Sequence, residues 1–196
     1  MKNPLLLFVC CSFFLLSFKS DKPIDYLQVP GPIAFSGKTY YLGWSANPEK
    51  NYFKQEYIPE GQTLQKFNEM LLLELILGDF TVKDVVSAQM KQLEKRKATD
   101  KTVQYEAIEN PETGEIILDF VVSTGTAKAV EIVEWNGYRY KPFTGKNGQK
   151  GVALFAISRR AYGTKITSFL KDLKTNRTPF IEAIGGYPFP EVKLKE

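Results

Sequence analysis

The stretch from Ser158 to Lys165, "SRRAYGTK", holds the residue types best suited to binding chemistry. Arg159 and Arg160 end an expected strand. Tyr162, Gly163 and Thr164 lead into an expected helix, whose first amides lack intrahelical partners. Guanidiniums beside such a helix start make an anion site for a carboxylate or phosphate. Arg159, Arg160, Tyr162 and Lys165 would form it. The plainer expectation is that one arginine pairs with a nearby carboxylate, the other is solvated, and Tyr162 packs at the corner.

Two further sets carry residue types that do chemistry. Tyr40, Tyr41, Trp44 and Tyr52, with Phe53 and Tyr57 close by, either line a contact surface or form cross-strand pairs covering a sheet. Glu56, Glu60, Glu69, Glu74 and Asp79 crowd one region. Acid/base work needs two such groups held together with separated pKa values. Solvated helix faces explain them more simply. "TGKNGQKG", Thr144 to Gly151, departs from the phosphate-loop pattern and has no helix behind it, so a hairpin end is expected. Asn176-Arg177-Thr178 has the form of a glycosylation acceptor but carries little weight, because Pro179 follows it.

Whole chemistries are excluded by composition. The 196 residues contain no histidine, and the two cysteines are Cys10 and Cys11. Beyond the N-terminal segment, Ser-His-Asp and Cys-His catalysis, thiol redox work and the usual zinc sites have no residues to use. No cofactor and no metal is expected. The formal net charge is only +4, and it drops by two without Lys2 and Lys19. That balance does not point to nucleic acid.

The elements that must position these residues begin after an apolar start. Residues 1–20, "MKNPLLLFVCCSFFLLSFKS", combine Lys2 with an apolar run from Leu5 to Leu16. The run is short for a membrane span, which takes about 20 residues, and suits a signal peptide. Export to a periplasm or outside the cell is therefore expected, with no integral membrane segment in the mature chain. An uncleaved anchor is the alternative. Residues 21–32, with Pro23, Pro30 and Pro32, read as an extended entry segment, and 33–196 as one domain.

Within that domain, aromatics from Ile33 to Ser45 predict a hairpin broken at Ser36-Gly37-Lys38, with a turn at Asn47-Pro48. Asn51 to Ile58 predicts a strand ended by Pro59-Glu60-Gly61. Leu64, Phe67, Leu71 and Leu75 recur at helix spacing, with Met70 and Leu72 widening the stripe, and predict a first helix. Thr81 to Asp84 resembles a capping box opening a second helix to about Lys97. Strands are expected at Thr102–Ile108, Glu115–Val122, Lys128–Trp135, Tyr138–Phe143 and Val152–Ser158, with Asn136-Gly137 as a hairpin turn. Thr164 is expected to cap a last helix presenting Ile166, Phe169, Leu170 and Leu173, and Pro179 to Pro190 to be irregular and packed on the domain. The class is α+β: a mainly antiparallel sheet with helices packed on it.

The element order, with "QEYIPEGQTLQKFNEM" early and "VALFAISRRAYGTKITSFLKDL" late, resembles the PsbP-like and Mog-type α+β sandwich superfamily over roughly Ile33 to Ile184. That resemblance implies an accessory, assembly or binding role without an enzymatic reaction, and it assigns no site residue. The expected function is an exported, non-enzymatic binding or accessory protein with an unknown protein partner. Two alternatives stand beside it: a carrier for a small anionic or amphipathic ligand, and a hydrolase using carboxylates or a Ser/Lys pair.

Overall fold

A computed structural model of the chain describes residues 22–126 and 129–194. The expected leader lies outside them. Among the described residues, two runs of four strands are each followed by an α-helix: β1 (Ile33–Phe35), β2 (Lys38–Glu49), β3 (Tyr52–Pro59), β4 (Glu69–Leu77), α1 (Val82–Arg96), β5 (Gln104–Asn110), β6 (Glu115–Gly125), β7 (Val130–Thr144), β8 (Lys150–Tyr162) and α2 (Ile166–Gly186). The strands form one antiparallel sheet in the order β1-β2-β3-β4-β8-β7-β6-β5. The fold is therefore α+β and dominated by its sheet.

Alternate residues of the central strands serve two cores. On one face Leu72, Ile76, Leu118, Phe120 and Leu154 pack with Val82, Val85, Val86 and Leu93 of α1. On the other, Leu71, Leu73, Leu75, Trp135, Phe155 and Ile157 pack with Leu173 and Ile184 of α2. The central strands β4 and β8 are covered on both sides, which is why they read as continuous apolar runs.

This double burial overturns the first expected helix. "EMLLLELIL" is β4, paired with β3 and β8. Leu71 and Leu75 fit a helical stripe as well as a strand's alternation. Leu73, which a helix would turn opposite the stripe, and Ile76 beyond it are buried as well and decide for the strand. Two α-helices thus replace the three expected. Asn136-Gly137 is likewise no turn but the middle of β7, opposite Ser158 and Ile157. A Cβ on Gly137 would stand 3.0 Å from the Trp135 indole, so this glycine serves close packing. Asn136 is buried and accepts a hydrogen bond from the Ser158 hydroxyl.

Three smaller corrections follow. Asn47-Pro48 lies within β2, and the turn falls at Lys50-Asn51. Pro48 is tolerated because β1 pairs with β2 only as far as Tyr40, leaving an edge beyond. Thr164 caps nothing; a short 3-10 turn, Gly163–Lys165, precedes α2 and no side chain bonds its start. Pro179 does not end α2, which continues to Gly186. Burial of Phe180 against Trp135, ring centres 5.6 Å apart, and of Ile184 offsets the hydrogen bond the proline forfeits. The Arg139 guanidinium donates to the carbonyls of Ile184 (3.2 Å) and Tyr187 (2.7 Å), closing the helix end.

The hairpin at Ser36-Gly37, the end of β3 near Gly61, the β5–β6 hairpin, the Gly-rich loop between β7 and β8, and the Thr81–Asp84 capping box all stand as the sequence predicts. Residues 22–32 are tied to the sheet: the Leu27 amide donates to Gln55 (2.8 Å), and the Tyr57 hydroxyl donates to the Val29 carbonyl (2.6 Å).

Candidate functional site

Strand period divides the expected anion site. Arg159 and Arg160 are consecutive in β8, so their side chains leave opposite faces of the sheet. Arg159 lies on the α2 face. Its Nε donates to Glu69 (3.3 Å), and its guanidinium stacks 3.9 Å above the Phe180 ring. Arg160 lies on the α1 face, paired with Glu134 and 4.1 Å over the Phe67 ring. Tyr162 shares that face and both donates to the Phe67 carbonyl (2.8 Å) and accepts from the Phe67 amide. Of the four expected residues, Arg159, Arg160 and Lys165 border one space, although the Arg160 guanidinium is held on the α1 face by Glu134, and Tyr162 is not part of it.

That space is a cleft of about 340 Å³ at the start of α2, bordered by Asn68, Glu69, Arg159, Lys165, Phe169 and Asp172. Lys165 is exposed. Nη1 of Arg159 is buried and makes no hydrogen bond, its nearest acid being Asp172 at 3.8 Å. Two cations and two carboxylates balance here. Glu69 also accepts from Lys38 (2.7 Å) and Tyr40 (3.0 Å). Burial works against its charge, but these bonds and Arg159 outweigh it and hold the carboxyl below its ordinary value. Burial, together with the adjacent carboxylate, pushes the Tyr40 hydroxyl up.

The second candidate is the part of the α1 face that α1 does not reach. The helix packs over β5, β6 and β7, leaving β2 and β3 without a helical cover. A bulge shapes this surface. Tyr41 pairs with Ile58, and Trp44 with Glu56, around an irregularity between Leu42 and Trp44. On a regular strand, residues three apart point to opposite faces; the extra residue, Gly43, turns both rings to the same side. No larger residue fits at Gly43 without displacing Ile58, whose side chain would lie 3.1 Å from an added Cβ.

Tyr41 is 48% exposed and Trp44 37%. Among the described residues neither ring contacts another ring or a cation, and neither polar tip has a hydrogen-bond partner. The other tryptophan differs on every count: Trp135 is fully buried, and its Nε1 donates to Asp119 at 2.7 Å. Of the four aromatics expected to form a contact surface, Tyr41 and Trp44 do lie exposed together. Tyr40 points into the opposite core, and Tyr52 is half-buried, donating to Glu74 (2.8 Å).

Beside them Lys54 bridges Glu56 (3.1 Å) and Glu74 (3.6 Å). Burial disfavours the ammonium, but the two carboxylates prevail and raise its pKa. Burial and Glu74 push the Tyr52 hydroxyl up as well. Sequence spacing does not reveal this trio, because it puts Glu74 on a helix. Lys54 offsets one of the two carboxylate charges, and neither described cleft includes the trio. Glu69 and Glu74 project from opposite faces of β4 and do not converge. Among the described residues, no group of three His, Cys, Asp or Glu side chains is arranged to hold a metal ion, and no helix is long and apolar enough to cross a membrane.

Comparison with known proteins places the chain. A protein-family model matches residues 27–189, from the first buried residue of the entry segment to the segment after α2. The chain belongs to that family. Membership indicates no activity, ligand or partner. No curated protein matches the chain significantly.

Proposed function

We propose that the protein is an exported, non-enzymatic binding or accessory protein that engages a protein partner through the β2–β3 face. The observation that carries this is the pair Tyr41 and Trp44: exposed, aligned by a bulge, and without internal partners. A buried aromatic finds packing and a polar contact. An exposed pair set above a rigid ion-bridged floor is the composition of a contact surface. Export is supported by the apolar N-terminal run, and an accessory role by the resemblance to PsbP-like and Mog-type proteins.

Replacing Tyr41 or Trp44 by a photo-crosslinking amino acid in the source organism tests the proposal. A discrete adduct from both positions, absent when the same group replaces exposed Ile108 on β5, is the expected result. Failure of both positions to give any adduct overturns it.

A second proposal, a carrier for a small anion, draws on one feature, the unpartnered Nη1 of Arg159 at the cleft. The carboxylates of Glu69 and Asp172 oppose it. Titration with citrate or phosphate followed at the Lys165 and Ser168 amides by NMR is the check. Shifts abolished by Arg159→Lys would favour it, and their absence dismisses it.

A further inference from the structure

The β2–β3 face carries more carboxylates than lysines in a chain whose formal charge is positive. The protein is formally +4, yet this face carries Glu49 and Glu56, with buried Glu74 of β4 beneath, against Lys54. With Lys50 of the adjoining turn counted, carboxylates still outnumber lysines. Lys54 is engaged by both Glu56 and Glu74, so it does not neutralise the whole surface. Glu56 stands directly across from Trp44. An exposed indole with no cation over it, and a carboxylate in the next strand, present the two groups that together hold a guanidinium or ammonium: a π face and a charge partner.

The position of an occupant is narrowed by β2 itself. Beyond Tyr40 its outer edge is unpaired, but two irregularities, at Leu42–Trp44 and Ala46–Glu49, and Pro48 interrupt its hydrogen-bonding row. These features disfavour addition of another strand at that edge. An occupant therefore lies across the face.

Resting on the binding role proposed above, we infer that the β2–β3 face receives a basic segment of the partner protein, with an arginine or lysine laid over Trp44 and paired with Glu56. Arginine fits better, because its planar guanidinium stacks on the ring while its N–H groups reach the carboxylate. Tyr41 extends the platform for a neighbouring residue of the same segment.

The test uses a fluorescein-labelled, end-blocked hexa-arginine peptide titrated with the protein and read by anisotropy. Exposed carboxylates at Glu106, Glu109 and Glu112 on and beside β5 can also attract such a peptide, so the variants, and not binding alone, locate the site. Saturable binding is expected that weakens as salt is raised from about 50 to 200 mM, with a hexa-aspartate peptide giving none. Trp44→Ala and Glu56→Gln are each expected to lower affinity about threefold or more. The near-ultraviolet signal of buried Trp135 verifies that both variants fold. Equal affinity for the two peptides, or unchanged affinity in folded Trp44→Ala and Glu56→Gln, overturns the inference. If crosslinks form at positions 41 and 44 while hexa-arginine fails, the basic-segment inference falls and the binding role stands. If the crosslinks themselves fail, the binding role falls first.

Discussion

Arg159 and Arg160 are neighbours in the chain, yet their guanidiniums lie on opposite faces of the sheet, one paired with Glu69 of β4 and the other with Glu134 of β7. Each is clamped between a carboxylate and an aromatic ring, Phe180 for Arg159 and Phe67 for Arg160. They tie the end of β8 to α2 on one side and to the residues before β4 on the other. Both arginines thus meet carboxylates, where the plainer expectation paired one and left the other in solvent.

Double-mutant cycles measure this separation. Arg159 with Glu69, and Arg160 with Glu134, should each show a coupling of about 1 to 2 kcal/mol, the range of charge-assisted bonds in part-buried sites. Arg159 with Glu134 should show none beyond about 0.5 kcal/mol. Urea unfolding of the singles and doubles gives the values, and a strong cross-coupling would contradict the two-face arrangement.

Acid stability follows from Glu69 and Asp100. Burial opposes the charge of each. Lys38, Tyr40 and Arg159 outweigh it at Glu69, and Thr102 and Ser123 outweigh it at Asp100, so both carboxyls sit below their ordinary values. A depressed folded pKa stabilises above the unfolded carboxylate range, and that contribution is lost as pH falls through the folded values. The urea midpoint should stay level from about pH 7 to 5 and drop below about pH 4.5. Glu69→Gln should lower stability near neutrality and flatten the acid limb. An unaltered limb would remove Glu69 from this role.

Burial on both faces of β4 makes a contrast with the helical expectation. Leu72 is 4% exposed and Leu73 fully buried, so Leu72→Ala and Leu73→Ala should each cost about 2 to 5 kcal/mol. A helix with the stripe Leu64, Phe67, Leu71 and Leu75 would leave one of them tolerant. Thermal melts of the two variants separate the cases.

Gly137→Ala should destabilise by about 1 to 3 kcal/mol, because the new methyl meets an indole held by Asp119 and Phe180. The near-ultraviolet spectrum of Trp135 should change with it. A turn at this position would instead have tolerated alanine poorly for backbone reasons and left Trp135 undisturbed.

Much of the local structure was legible because its signals are short-range. The side chains of Thr81 and Asp84 bond only to each other's residue, and Ser36-Gly37 and Gly61 mark turns through their own torsions. What failed was whatever a neighbour decides. "EMLLLELIL" satisfies helix and strand alike, and only β3 and β8 on either side, with cores above and below, make it a strand. Asn136-Gly137 has the chemistry of a tight turn, but Trp135 needs the missing side chain and Ser158 the buried amide.

The candidate site divides along the same line. The sequence by itself determined which chemistries have no residues to run them, since a chain without histidine, and with cysteine only at positions 10 and 11, cannot assemble the usual nucleophilic or zinc sites. It also named four aromatics as a possible contact surface, of which Tyr41 and Trp44 are exposed. Tertiary structure alone decided that Tyr40 is core while Tyr41 is surface, that one extra residue at Gly43 brings Trp44 to the side of Tyr41, and that the Arg159 and Arg160 guanidiniums never meet. The reason is that side-chain direction in a strand repeats every two residues, so a single bulge or a single step of register moves a group across the sheet, and residue type carries no record of which side it will reach.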